Sequence, residues 1–241
     1  YIATGHYAKI INKDGKYYLA RAKDINKDQT YFLHEVSEKE FSKCLLPLEN
    51  LMKSEVRDIA LKNNLVTANK KDSVGICFVG EKNLKDFLNR FIEFKKGNIK
   101  DENNNVIGQH QGAILYTQGQ RQGLMIGGVK GKEELPWYVY KKDIPNNEIY
   151  VCQGGDNELL MNKGLYVKDI NFINDINYQY PINCSVQVRH QHTPVKCFIE
   201  KLSNETKVTF SEPIRAIAPG QSAVFYDSEI CLGGGVICKT F

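Results

Sequence analysis

No two of the seven cysteines form a Cys-x-x-Cys pair. Structural zinc sites usually depend on such close pairs, so this spacing speaks against one. Cys44, Cys77, Cys152, Cys184, Cys197, Cys231 and Cys238 are also odd in number and widely scattered. With no basic, apolar leader in the opening residues, that pattern does not read as a disulfide framework. Long hydrophobic runs are missing too, and none reaches the length that spans a bilayer. The expectation is a cytoplasmic protein with no membrane partner. Repeats and low-complexity tracts are absent. The net charge of +4 is mild. It permits a nucleic-acid partner without announcing one, because local clustering of Lys and Arg decides that. What remains is ordinary. The 241 residues, 42% hydrophobic and 25% charged, describe a soluble globular chain long enough to bury a real core.

Along the chain, "YIATGHYAKIIN" reads as a buried strand, a turn and a second strand. A sequence that opens inside a strand is expected to be a piece of something longer. Asp14-Gly15 stands between two β-rich runs and predicts a hairpin. In "SEKEFSKCLLPLENL", Ser37 and Glu40 have capping-box spacing, which predicts a helix that holds Cys44 and ends or kinks at Pro47. Val56, Ile59, Ala60 and Leu65 sketch an amphipathic helix. A further helix is predicted from Leu84, Phe87, Leu88 and Phe91, with Lys95 and Lys96 in its last turn and Gly97 as its stop. The text to about Gly164 is glycine-rich with short β runs. Beyond Leu165 six or so short strands in under eighty residues imply a small antiparallel barrel.

Several segments hold chemistry, each with a plainer reading beside it. Cys77 lies between Gly75 and Gly80, just after Lys70 and Lys71. A nearby ammonium favours the nucleophilic thiolate, yet a core thiol between strands fits the same residues. His6, beside Gly5 after a strand end, could meet phosphate or act as an acid–base group, or simply be satisfied in its turn. Lys27, Asp28 and Gln29 could touch nucleic acid or form a solvated loop. The run from Gln118 to Gly123 suits sugar or phosphate contacts as well as a cluster of β-turns. Arg189, His190 and Gln221 sit on or near barrel strands, where small barrels bind RNA. His190 and His192 share one side of a strand, but no third ligand completes a metal site.

Taken in order, "ATGHYA", "NKDQTYFL", "KKDSVGICFVGE", "HQGAILYTQGQRQGLMIGG", "LPWYVYKKD", "VRHQHTP" and "APGQSAVFYDSEICLGGGVI" resemble the tRNA-specific 2-thiouridylase family (MnmA-type) nearly from end to end. The resemblance implies an α/β plus β architecture. Residues 1–80 would be the C-terminal part of an adenine-nucleotide alpha-hydrolase-like (PP-loop) domain, 81–164 a small central domain, and 165–241 a C-terminal antiparallel β-barrel that binds tRNA. It implies synthesis of 2-thiouridine at the wobble uridine. ATP, with Mg²⁺, adenylates the C2 oxygen, and sulfur from a cysteine persulfide then replaces it.

By the same resemblance Cys77 is the persulfide-carrying cysteine, and Gly5 a backbone contact to ATP. His6, Lys27, Asp28, Gln29, Arg189, His190 and Gln221 are tRNA contacts; His190 stands where the family usually has Tyr. Implied partners are the glutamate, glutamine and lysine tRNAs and a persulfide sulfur-donor protein. The family's pyrophosphate loop and first catalytic cysteine, which closes a disulfide as sulfur is released, are not in these residues. The chain alone is therefore expected neither to bind ATP tightly nor to thiolate RNA. A non-catalytic tRNA-binding piece and a sulfur carrier using Cys77 are the other readings.

Overall fold

The computed structural model describes residues 1–70, 87–129, 131–174, 176–203 and 205–241. Cys77 lies outside the described residues. Two compact units emerge, one from Tyr1–Lys70, Lys163–Ile214 and Pro219–Phe241, the other from Lys71–Asn162 with Arg215–Ala218.

The first unit opens with β1 (Ile2–Ala3), β2 (Lys9–Lys13) and β3 (Lys16–Ala20). β2 and β3 pair as the expected hairpin, with Lys13 opposite Lys16 and positive φ at Asp14 and Gly15. Then come the short helices α1 (Thr30–Leu33) and α2 (Glu38–Phe41), strand β4 (Cys44–Leu45) and helix α3 (Lys53–Lys62). The second unit supplies β5 (Gly97–Lys100), β6 (Val106–His110), β7 (Trp137–Asp143) and β8 (Glu148–Gln153). The chain then gives β9 (Met161–Phe172), β10 (Ile182–Gln187), β11 (Val195–Lys201), β12 (Thr206–Arg215), β13 (Ser222–Asp227) and β14 (Ile230–Thr240).

Strands β9 to β14 run in the order β13-β10-β11-β12-β9-β14, and pairing of β13 with β14 closes the ring. Closure gives each of these six strands a partner on both sides, which is how a small barrel avoids edge pairing, and β3 and β2 extend the sheet from β14. Directly opposed residues share a face. Phe225 opposes Val186, Cys197 opposes Phe210 and Ile199 opposes Val208, so these side chains form the barrel's interior. Val186, Ile199, Val208 and Phe225 are fully buried. Each such side chain contributes roughly 1.5–3 kcal/mol by leaving water. The other face of β13 is buried as well. Val224 and Tyr226 pack with Ala8, Leu19, Tyr31, Phe41 and Leu46, so α1, α2 and the β2–β3 hairpin cover the barrel wall. β14 holds that hairpin by hydrogen bonding, Cys231 opposite Leu19.

In the second unit the sheet order is β6-β5-β8-β7, with β5 parallel to β8. Ile99, Val139, Ile149 and Val151 are its buried centre, with Trp137 and Tyr116 at the side.

Four local expectations need correction. β1 is a strand but an exposed one. The helix after Ser37 lasts only to Phe41, and Cys44 lies in a strand: Cys44 and Leu45 pair in parallel with Ile2 and Ala3. A distant pairing partner therefore outbids local helix propensity, well before Pro47. Ser37 donates its hydroxyl to the Glu40 carboxylate and makes no cap to the backbone. α3 forms, but it stops at Lys62, short of Leu65, and buries none of its residues fully: Val56 and Ala60 are half-buried and Ile59 is 49% exposed. Finally, Leu84 lies outside the described residues; Phe87 and Leu88 are helical, but residues 89–91 are a turn, and Gly97 begins β5 instead of stopping a helix. A Cβ at Gly97 would run into the Asn147 carbonyl and the His110 ring, so glycine there permits close strand approach.

Candidate nucleic-acid interface

Three segments far apart in sequence converge in the first unit. Tyr7, next to His6, donates its amide to the Gln29 side-chain carbonyl at 2.9 Å. Gln29 returns its own amide to the Tyr7 carbonyl at 2.8 Å. His190 Nε2 donates to the Asp28 carbonyl at 3.2 Å. The sequence around His6, the loop from Lys27 to Gln29 and the loop after β10 are thereby tied together. Gln221 is drawn to the same neighbourhood, because Tyr31 of α1 donates its hydroxyl to the carbonyl of Ser222 at 2.9 Å.

The members differ in how much they offer a ligand. Gly5 is exposed and follows β1 at the carboxyl end of the β1–β4 pair; a Cβ there would meet only Leu48, at 3.8 Å. His6 is half-buried, with Nδ1 2.9 Å from the Thr4 hydroxyl. Lys27 is half-buried, at the end of a single 3-10 turn. Asp28 is different. It is buried, and its carboxylate accepts the Ala22 amide at 3.0 Å and the Thr30 hydroxyl at 2.5 Å. Burial raises its pKa above the usual carboxylate value, and those two hydrogen bonds with the Arg21 charge only partly oppose this. The side-chain carbonyl of Gln29 is likewise held by Tyr7. Asp28 and Gln29 thus frame the loop with their side chains, while Lys27, Arg189 and His190 remain at its surface.

Sequence reasoning missed two residues here. Phe32 is 57% exposed, and its ring stands 4.5 Å from that of His190, tilted by 40°. Arg21 lays its guanidinium over the Tyr226 ring at 4.2 Å and donates to the Gln187 side chain at 3.2 Å. The adjacent aromatics of "TYFL" are the signal for Phe32, since neighbouring side chains on a helix point in different directions and one short turn does not bury both. Arg21 carries none, since it reads as one more strand-end cation. Arg21, Asp28, Gln187, Gln191 and His192 line a groove of about 400 Å³ beside this pair. Burial lowers the pKa of His192, so the neutral ring is favoured. The Gln118–Gly123 segment belongs to the second unit. It is fastened to β7 and to itself: Gln118 donates to the Tyr140 carbonyl, Gly119 to the Val139 carbonyl, and the Gln120 side chain bonds Thr117 and Gln122.

A half-exposed aromatic pair flanked by cations beside a groove is what single-stranded nucleic acid needs, bases stacking on rings and phosphates meeting charge. Comparison with known proteins agrees with that chemistry. Three family models match successive parts of the chain: a tRNA methyl transferase HUP domain over residues 1–81, a tRNA methyl transferase PRC-barrel domain over 85–153, and an aminomethyltransferase beta-barrel domain over 162–237. The chain is 48% identical over 238 residues to the tRNA-specific 2-thiouridylase MnmA of Buchnera aphidicola subsp. Schizaphis graminum, covering 98% of this chain and 65% of the relative. With its namesake from Pseudomonas fluorescens it shares 48% identity over 236 residues, 98% of this chain and 63% of the relative. For Francisella tularensis subsp. novicida the values are 46% over 239 residues, 98% and 67%.

The chain belongs to the tRNA-specific 2-thiouridylase family. It spans about 65% of the length of the Buchnera thiouridylases it matches. As a thiouridylase-family chain it has an α/β plus β architecture: a HUP domain, a PRC-barrel domain and a closed antiparallel barrel, with few helices. No described helix is long and apolar enough to cross a membrane.

Proposed function

We propose that the protein containing this chain makes 2-thiouridine at the wobble position of tRNA, and that the first unit holds the anticodon arm. One observation carries the reading: the segments of His6, Lys27 to Gln29, and Arg189 to His190 meet through the Tyr7–Gln29 and His190–Asp28 hydrogen bonds. Lys27 and Arg189 supply charge for phosphates, and the Phe32–His190 pair offers a stacking surface for an unpaired base. An imidazole stacks where the family usually has Tyr. Gln221, beside Ser222, would add a polar contact at the barrel's rim.

ATP fits at Gly5. The residue is exposed at the carboxyl end of parallel strands, and nothing crowds its Cβ position, so a nucleotide could approach its backbone. When bound, ATP supplies the adenylyl group that turns the uracil C2 oxygen into a leaving group, Mg²⁺ neutralising its phosphates. Among the described residues no group of three or more His, Cys, Asp or Glu side chains stands ready to hold an ion. Cys77 would carry the transferred sulfur as a persulfide, loaded by a donor protein, because a persulfide is a soft, strong nucleophile and a neighbouring thiol can later take over the sulfur bond.

The test is Cys77→Ser in the full-length protein. Thiolation of tRNA, read by mass spectrometry of its nucleosides, should vanish while tRNA affinity stays near that of the wild type. Thiolation at an undiminished rate would remove Cys77 from the reaction.

A further inference from the structure

The barrel holds a second pair of sulfur atoms that the proposed reaction does not use. Cys184 of β10 and Cys197 of β11 are directly opposite each other in the antiparallel register. Their sulfurs are 3.6 Å apart. Directly opposed residues lie on the same face of a sheet, here the barrel interior that also holds Val186 and Ile199. The Cα separation of an opposed antiparallel pair, about 4.5–5.5 Å, falls inside the range that a disulfide spans. Closing the gap to a bond of about 2.05 Å therefore needs side-chain rotation and no change of strand register. The two thiols are not equivalent. Cys197 is buried, whereas Cys184 is half-exposed and gives a small oxidant a way in. Its hydrogen bond with Cys184, reinforced by burial, keeps the Cys197 thiol protonated. Attack on the oxidant thus falls to Cys184.

We propose that Cys184 and Cys197 form a redox-modification site, in which hydrogen peroxide converts the opposed thiols into a cross-strand disulfide. The Cys184 thiolate attacks one peroxide oxygen, the O–O bond breaks, and the departing hydroxide takes up a proton as water. The Cys184 sulfenic acid is then attacked by the Cys197 sulfur. The S–O bond breaks, and hydroxide leaves with the Cys197 proton as a second water. Two thiols are oxidised and one hydrogen peroxide is reduced. The new bond ties together the stems of the β10–β11 hairpin, whose loop carries Arg189, His190 and His192. Oxidation would therefore stiffen the presentation of those residues without adding a contact to them.

The test is to treat the intact chain with hydrogen peroxide, alkylate the remaining thiols, and map the peptides. Two of the seven thiols should disappear with loss of two hydrogens in mass, and a linked peptide should join Cys184 to Cys197. Dithiothreitol should restore both thiols, and Cys184→Ser should give no linked peptide. Two results would overturn the site: both cysteines alkylated in full after treatment, or Cys184 gaining oxygen while Cys197 stays reduced. Because the map is read on the unmodified sequence, the outcome stands even where the Ser variant folds poorly.

Discussion

The Asp28 carboxylate holds the Ala22 amide and the Thr30 hydroxyl inside the first unit, and Thr30 in turn lies 3.1 Å from the Tyr226 hydroxyl. Asp28→Ala leaves the buried amide without its acceptor, which costs about 1–3 kcal/mol. Asp28→Asn keeps an oxygen for Ala22 and gives an N–H to Thr30, so it should cost much less at neutral pH. Burial raises the folded pKa of Asp28, so its contribution is fullest below the unfolded value of about 3.9 and is lost as pH rises through the folded value. The neutral Asn escapes that loss. Urea titrations at pH 4 and pH 7 should show Asn gaining on the wild type as pH rises; a constant difference would contradict it. Arg189, by contrast, is exposed. Arg189→Ala should weaken tRNA binding by on the order of 1 kcal/mol and lower the salt dependence, as titrations at two salt concentrations would show. Equal binding at both salts would take the barrel rim out of the RNA surface. Nothing in "NKDQTYFL" announces that Asp28 turns inward while Lys27 stays at the surface. That outcome depends on Ala22, just past β3, and, through Thr30, on Tyr226 of the distant β13.

β14 pairs with three strands: β13 lies along one side, β9 and β3 share the other. It bends where Gly233 takes φ of 134°, and a Cβ there would collide with the Asn171 backbone. Gly233→Ala should therefore destabilise the first unit by at least about 1–3 kcal/mol, the cost of a strained backbone, with the clash added. A thermal melt of the variant checks this, and an unchanged midpoint would show that the strand can relax. Elements whose signals are local were readable in the sequence. The Asp14-Gly15 hairpin and the alternating barrel strands declare themselves by turn chemistry and period. β4 does not. Its two residues are a strand only because Ile2 and Ala3 pair beside them, and no window around Cys44 contains that information. α3 was legible as a helix from its apolar spacing, yet its exposure was not, since periodicity identifies a face and leaves open what covers it.

At the scale of the molecule, the two units have separate cores, one around Leu19, Val224 and Tyr226, the other around Ile99, Val139 and Ile149. Trp137, the single tryptophan, belongs to the second. Its fluorescence should report unfolding of that unit alone, while far-UV circular dichroism reports both. The two urea transitions should not coincide; superimposable curves would mean that the units unfold as one. Acid should weaken both units. Burial lowers the pKa of His34 and His192 in the first and of His110 in the second. Their contribution is present above the unfolded value near 6.5 and is lost as pH falls through the folded values. Stability measured from pH 7.5 down to 5 should therefore decline in both signals. The pairing of Leu19 with Cys231 has a further consequence, one of timing. A ribosome adds roughly 5–20 residues per second, so the β2–β3 hairpin leaves it some 10–40 seconds before the strand that will hold it. Through that interval β3 presents an open edge, a template for any strand that passes. Newborn chains should therefore stay vulnerable to mispairing until β14 emerges, because only then is the seam along β3 sewn.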